Sequence, residues 1–141
     1  MPPYSQIVID YEADTTVYQQ IAADLRSRID AGEWAPRRRL PSVTHLGQHY
    51  GVARQTVLQA LTVLRDLGVI YTVRNRGSFV RSTSTTVVAP EPGMRITARM
   101  PTETEREELD LGEQLVPVLV VERGDQVDVL PADRTEIRIP E

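Results

Sequence analysis

Apolar positions along the chain mark out its elements before any motif is needed. Val17, Ile21, Leu25 and Ile29 recur every four residues, and Tyr18 and Ala22 widen the stripe. This spacing predicts an amphipathic helix over about 16–31, capped by Asp14, Thr15 or Thr16 and ended by Gly32. A shorter stripe, Val43, Leu46 and Tyr50, predicts a helix that opens at Ser42 and stops at Gly51. Val57, Ala60, Leu61 and Leu64 predict a third helix over about 53–67, stopped by Gly68. Val69 to Val73 then alternates as a strand does, and Ser78 to Arg81 returns, with Arg74-Asn75-Arg76-Gly77 as the tip. Helix, glycine turn, helix and hairpin in that order give a winged helix-turn-helix, whose second helix suits a DNA major groove.

The pattern changes after this hairpin. Ser82 to Gly93 is rich in small polar residues and proline, and reads as a linker. Met94 to Met100 alternates as a strand. Pro101 to Leu111 reads as a short helix, with Thr102 as cap, Glu105 at the capping-box position and Gly112 as stop. Val116 to Glu122, Val127 to Leu130 and Arg134 to Ile139 read as strands, the first two joined by a turn at Arg123-Gly124-Asp125-Gln126. The expected fold is therefore α+β, an N-terminal winged helix-turn-helix followed by a small β-rich C-terminal module. The expected divisions are a leader at 1–14 with a short strand at Ile7-Val8-Ile9, the winged domain at 15–81, a linker at 82–93 and the β-rich module at 94–141.

Composition narrows the function. The 141 residues contain no cysteine, which removes disulfides, thiolate zinc sites and cysteine nucleophiles. No apolar run approaches the ~20 residues needed to cross a membrane. The opening MPPYSQIVIDYE lacks the basic and apolar regions of a signal peptide, so a cytoplasmic, nucleoid-bound protein is expected. Net charge is −4, but it is unevenly placed. Trp34 to Arg81 holds eight Arg and one acid, or +7, whereas Ser82 to Glu141 holds six Arg and thirteen acids, or −7. A basic segment beside an acidic one points to a localised anionic partner. All sixteen basic side chains are Arg, which a GC-rich genome explains as well as phosphate binding does.

The candidate contacts follow from this segregation. Opposite the buried stripe of the third helix lie Arg54, Gln55, Leu58, Gln59 and Thr62. Arg suits guanine, Gln suits adenine, and Leu58 is either a thymine-methyl contact or a core residue off the stripe. Arg74, Arg76 and Gly77 at the hairpin tip suit phosphates or the minor groove. Arg37, Arg38 and Arg39 lie on a connector between Pro36 and Pro41, where an extended run splays alternate side chains toward any nearby backbone. Ser42 caps the second helix, whose first N–H groups suit a phosphate.

At this point the residues resemble a family. Val17-Tyr18-Gln19-Gln20-Ile21, Ile29-Asp30-Ala31-Gly32, Leu40-Pro41-Ser42, Tyr50-Gly51-Val52, Arg54-Gln55-Thr56-Val57, Leu67-Gly68-Val69-Ile70 and Arg76-Gly77-Ser78-Phe79-Val80 fall in the order and spacing of the winged helix of GntR-type bacterial regulators. The resemblance implies a homodimer that binds an inverted-repeat operator in double-stranded DNA, with repression the expected outcome. It also implies DNA contacts at Ser42, Arg54, Thr56 and Gly77. Four positions depart from the family pattern. Thr44 and Leu58 stand where Arg or a polar residue is usual, Ala53 replaces a serine, and Arg37 follows Pro36 where the family has glycine. The Arg37–Arg39 run is expected to make up part of the lost phosphate binding.

The tail from Met94 resembles the first part of a UTRA-type sensor domain, carried by its strand, helix and Leu111-Gly112 to Pro117-Val118-Leu119-Val120-Val121 run. The rest of such a domain is missing, so a dimerisation or docking module is expected, a truncated sensor without a full effector pocket. Glu103, Glu105, Glu107 and Glu108 read as a solvated helix face. His45 and His49 have metal spacing but no third ligand. No cofactor, metal site or catalytic set is expected. The competing reading is a protein-interaction module that docks through a winged helix and acidic hairpins.

Overall fold

The computed structural model describes residues 7–12 and 15–141. Asp14, one of the three candidate caps, and most of the leader's first residues lie outside that range. The chain forms two compact units, Met1–Arg81 and Ser82–Glu141.

In the first unit, α1 (Val17–Asp30) begins at Thr16. The Thr16 hydroxyl accepts from Gln19 N, and the Gln19 side chain accepts from Thr16 N in return. α2 (Val43–Tyr50) and α3 (Arg54–Asp66) follow, then β1 (Ile70–Val73) and β2 (Gly77–Val80). Ile21, Leu25, Leu46, Val57, Leu64 and Ile70 are all but inaccessible to solvent and form the core where the three helices meet the hairpin. Each such side chain stabilises the fold by roughly 1.5–3 kcal/mol. The buried face of α3 consists of Val57, Ala60, Leu61 and Leu64, the stripe its spacing predicts.

Two local readings change. Ile7-Val8-Ile9 forms no strand. Ile7 and Ile9 pack on the core instead, and the Gln20 amide brackets the backbone of Asp10, accepting from its N at 2.9 Å and donating to its O at 2.8 Å. A side chain thus satisfies the Asp10 backbone where no strand forms. The Arg37–Arg39 connector is not an extended free loop either. Arg37 N donates to Val80 O, Val80 N to Arg38 O and Leu40 N to Ser78 O, so residues 37–40 lie along β2, and Arg39 bridges Phe79 in antiparallel register.

The second unit is built on an antiparallel sheet of β4 (Arg95–Arg99), β5 (Val118–Arg123) and β6 (Gln126–Pro131), with β5 central. α4 (Glu103–Glu108) is closed by the Thr102–Glu105 capping box. A small core gathers Leu111, Val116 and Val118 with Leu109 and Val129. The stretch expected to be a linker holds β3 (Thr86–Val88), which pairs in parallel with β7 (Thr135–Ile137). The whole β4–β6 segment forms the crossover that a parallel pair requires. The strand expected from Arg134 is shortened because Ala132–Arg134 takes a 3-10 turn, held by the Thr135 hydroxyl donating to Pro131 O at 2.7 Å. No helix among the described residues is long and apolar enough to cross a membrane.

Candidate nucleic-acid interface

The helix-turn-helix rests on three local devices. Ser42 takes the extended conformation of an N-cap, and its hydroxyl accepts from His45 N at 3.1 Å. The hydroxyl keeps its own O–H to donate, so both it and the first-turn backbone N–H groups remain open to a phosphate. Gly51 ends α2 with φ at 66°, a left-handed turn that glycine enters without steric cost. Gly47 allows the turn to close, since a Cβ there would stand 3.2 Å from Val52 O. Thr44 and Arg54 then line one shallow cleft between α2 and α3, with Val43, Gly47, Gln48 and Val52. Ala53 has N-cap geometry but makes no side-chain cap bond, so the start of α3 lacks the reinforcement a serine gives.

Arg54, Gln55 and Gln59 are exposed on α3, while Thr56 and Leu58 are half-buried. Leu58 therefore sits at the margin of the core stripe, with part of its surface open. Thr62 belongs to a different structure. Its hydroxyl donates to Leu58 O at 3.0 Å and accepts from Arg65 at 2.9 Å. Arg65 also donates to Thr72 Oγ1 at 3.1 Å, and Thr72 Oγ1 lies 3.2 Å from Ser78 Oγ. This chain of bonds ties α3 to both strands of the hairpin. Sequence reading passed over Arg65. The available signal was its place three residues after Thr62 on a polar face, facing two hydroxyls that pair across β1 and β2.

The hairpin carries Arg74, Asn75 and Arg76 exposed at its tip, with Asn75 at φ 64° and Gly77 at φ 114°. Tyr71 and Phe79 stack behind it, ring centres 5.5 Å apart. The Arg run divides. Arg39 reaches Gly77, where a Cβ would stand 2.8 Å from the Arg39 Nε. Arg37 lies two residues earlier, at the end of the hairpin away from the tip, with φ at 71°. That left-handed conformation accounts for glycine as the family's usual residue after Pro36.

Electrostatics sharpen the picture. Among the described residues, Arg38, Arg39, Arg54, Arg74 and Arg76 form no ion pair. Arg28, by contrast, is buried in a network that joins α1 to α2. It donates to Glu33 at 2.9 Å and to the Tyr50 hydroxyl at 3.0 Å, and it lies 4.7 Å from the Trp34 ring centre. The Tyr50 hydroxyl in turn donates to Asp24 at 2.6 Å. Burial, and then the Asp24 carboxylate, raise the Tyr50 hydroxyl well above its ordinary range, so it is always a donor. His49 packs edge-on against Tyr50, and no metal-binding group of side chains occurs among the described residues.

The model for "Bacterial regulatory proteins, gntR family" matches residues 17–80, from the start of α1 to the end of β2. YtrA from Sulfolobus acidocaldarius, a GntR-family transcription factor of known structure, shares 40% identity with a TM-score of 0.50. That match covers 55% of this chain and 82% of YtrA. The chain belongs to the GntR family through these residues. Its GntR-type domain is a winged helix-turn-helix whose β2 also carries an isolated bridge to Arg39. Similar domains occur in two Bacillus subtilis proteins. The HTH-type transcriptional repressor NagR is 36% identical over 72 residues, and the regulator TreR is 38% identical over 65. These matches cover 51% and 46% of this chain but only 30% and 26% of the relatives, so the chain spans less than a third of either.

Proposed function

We propose that the chain is a transcriptional repressor that binds an inverted-repeat operator in double-stranded DNA as a homodimer. The observation that carries this reading is the set of exposed arginines on the helix-turn-helix and wing that form no ion pair among the described residues: Arg38, Arg39, Arg54, Arg74 and Arg76. Each retains its full capacity for a phosphate or a base edge. In this reading α3 enters the major groove. Arg54, Gln55 and Gln59 meet base edges there, and the open part of Leu58 meets a thymine methyl. Ser42, Thr44 and Thr56 position the helices on the backbone, and Arg74, Arg76 and Gly77 bring the wing to phosphates or the minor groove. Arg37, Arg38 and Arg39 supply phosphate contacts that Thr44 cannot.

The name repressor borne by NagR supports the direction of control. Residues 94–141 act as a dimerisation module. The exposed Leu115, Val127 and Ile137 support that role. The expected site of action is the nucleoid in the cytoplasm. DNase footprinting on the DNA upstream of the gene, at low salt, is the test. Two protected half-sites about one helical turn apart are expected for a symmetric dimer. Absence of any protected region would sink the reading.

A further inference from the structure

We propose that Gly77 is the seat of the Arg39 guanidinium, and that Arg39, Arg74 and Arg76 act as one phosphate-binding cluster at the wing tip. This rests on the DNA-binding reading above and goes further in assigning Gly77 its role. The family resemblance gives Gly77 a direct contact with DNA. The geometry adds a different partner from the protein's own chain.

The backbone around Arg39 is fixed by β pairing. Val80 N donates to Arg38 O at 2.9 Å, Leu40 N donates to Ser78 O at 2.8 Å, and Arg39 bridges Phe79. From that anchored position the Arg39 side chain crosses toward the tip and lies on Gly77. A Cβ at residue 77 would stand 2.8 Å from Nε, 3.3 Å from Nη2 and 3.4 Å from Cζ. A side chain there would force the guanidinium to shift from this seat. Arg39 remains exposed, and no carboxylate among the described residues pairs with it, Arg74 or Arg76. Three like charges held toward one hairpin end repel one another unless an anion sits among them. A phosphodiester fits, because guanidinium forks match its oxygens and a β-anchored stem costs little further ordering.

The test is a double-mutant cycle on the full chain. The probes are a labelled duplex of the gene's own upstream DNA and a scrambled duplex, read by fluorescence anisotropy from about 50 to about 200 mM salt. Arg39→Gln, at an exposed position, should weaken binding to both duplexes and reduce the slope of log K against log salt by about 0.9, one phosphate contact. Gly77→Ala should reduce it similarly in the wild type and add little in the Arg39→Gln background. Full additivity, with Gly77→Ala equally costly in both backgrounds, would show that Gly77 acts independently of Arg39, through its own backbone at φ 114° or its own DNA contact, and would overturn the proposal. An unchanged slope in Arg39→Gln would overturn it without any use of the glycine variant. If the wild-type chain binds neither duplex, the DNA-binding reading itself has failed.

Discussion

Arg65 of α3 donates to Thr72 of β1 across 3.1 Å, and through that bond α3 holds the wing. The same guanidinium donates to Thr62 one turn back on its own helix, so Arg65 spans the joint between α3 and the hairpin. A helix and a wing that read one site together need a fixed angle between them. Arg65→Lys keeps the charge but loses the fork. It should leave the salt slope unchanged and lower the ratio of operator to scrambled-duplex affinity several-fold, about 1 kcal/mol. Competition anisotropy measures this ratio, and an unaltered ratio would count against the brace.

Arg37 occupies a left-handed conformation at φ 71°. For an L-residue this costs roughly 1–2 kcal/mol, while glycine brings back about 0.5–1 kcal/mol of chain entropy. Arg37→Gly should therefore stabilise the winged domain by about 1 kcal/mol, seen as a rise of a few degrees in its melting temperature. If the Arg37 side chain also meets phosphate, the same variant should bind DNA more weakly. Opposite signs in the two measurements are the expected outcome. A gain in stability with no loss of affinity would remove Arg37 from the interface.

Much of the winged domain could be read from the sequence because its signals are local. Ser42, Gly51 and Gly68 punctuate the helices by cap chemistry, and the four apolar residues of α3 lie at helical spacing. The capping boxes at Thr16–Gln19 and Thr102–Glu105 follow the same rule. What escaped detection is non-local. The pairing of 37–40 with β2 joins segments some forty residues apart, and the turn at Arg37 lacks the glycine that would have announced it. β3 lies in a polar, proline-flanked stretch and finds its partner only at β7, near the other end of the unit. Ile7-Val8-Ile9 has strand composition but packs two of its side chains on the core instead of forming a strand. Thr62 had the exposure of a base-reading residue, but its hydroxyl is already bonded to Leu58 and Arg65.

Tyr50 links Asp24 to Arg28 in the interior of the winged domain. Tyr50→Phe keeps the ring and removes the hydroxyl, leaving buried Arg28 and half-buried Asp24 each short of a bond. The expected cost is about 1–3 kcal/mol. Urea denaturation should show a lower midpoint with an unchanged m-value. A change below about 0.5 kcal/mol would mean that water replaces the hydroxyl, in which case the network adds little to stability.

In the second unit, Arg99 forks onto Glu105 at 2.7 and 2.8 Å, and Glu105 also accepts from Thr102 N. The Arg99 bond, and next the backbone bond, lower the Glu105 carboxyl to about 2. A depressed carboxylate stabilises the fold above its unfolded pKa, and that contribution is lost as pH falls through the folded value. The α4 capping contact should therefore persist at pH 5 and weaken between about pH 4 and pH 2. Glu105→Gln should flatten this acid dependence, as followed by the NMR shifts of the Thr102 and Glu105 amides. An identical acid profile in the variant would assign the transition to other carboxylates.

The central claim is that α3 reads DNA, and Arg54 is its first exposed residue. The most direct measurement is a titration of the full chain against its upstream DNA and a scrambled duplex, for the wild type and Arg54→Ala, over a range of salt. The wild type should prefer its own DNA, with affinity falling steeply as salt rises. Arg54→Ala should lose about 1–3 kcal/mol on the specific duplex and much less on the scrambled one. Equal losses on both duplexes, or salt-independent binding, would contradict the account.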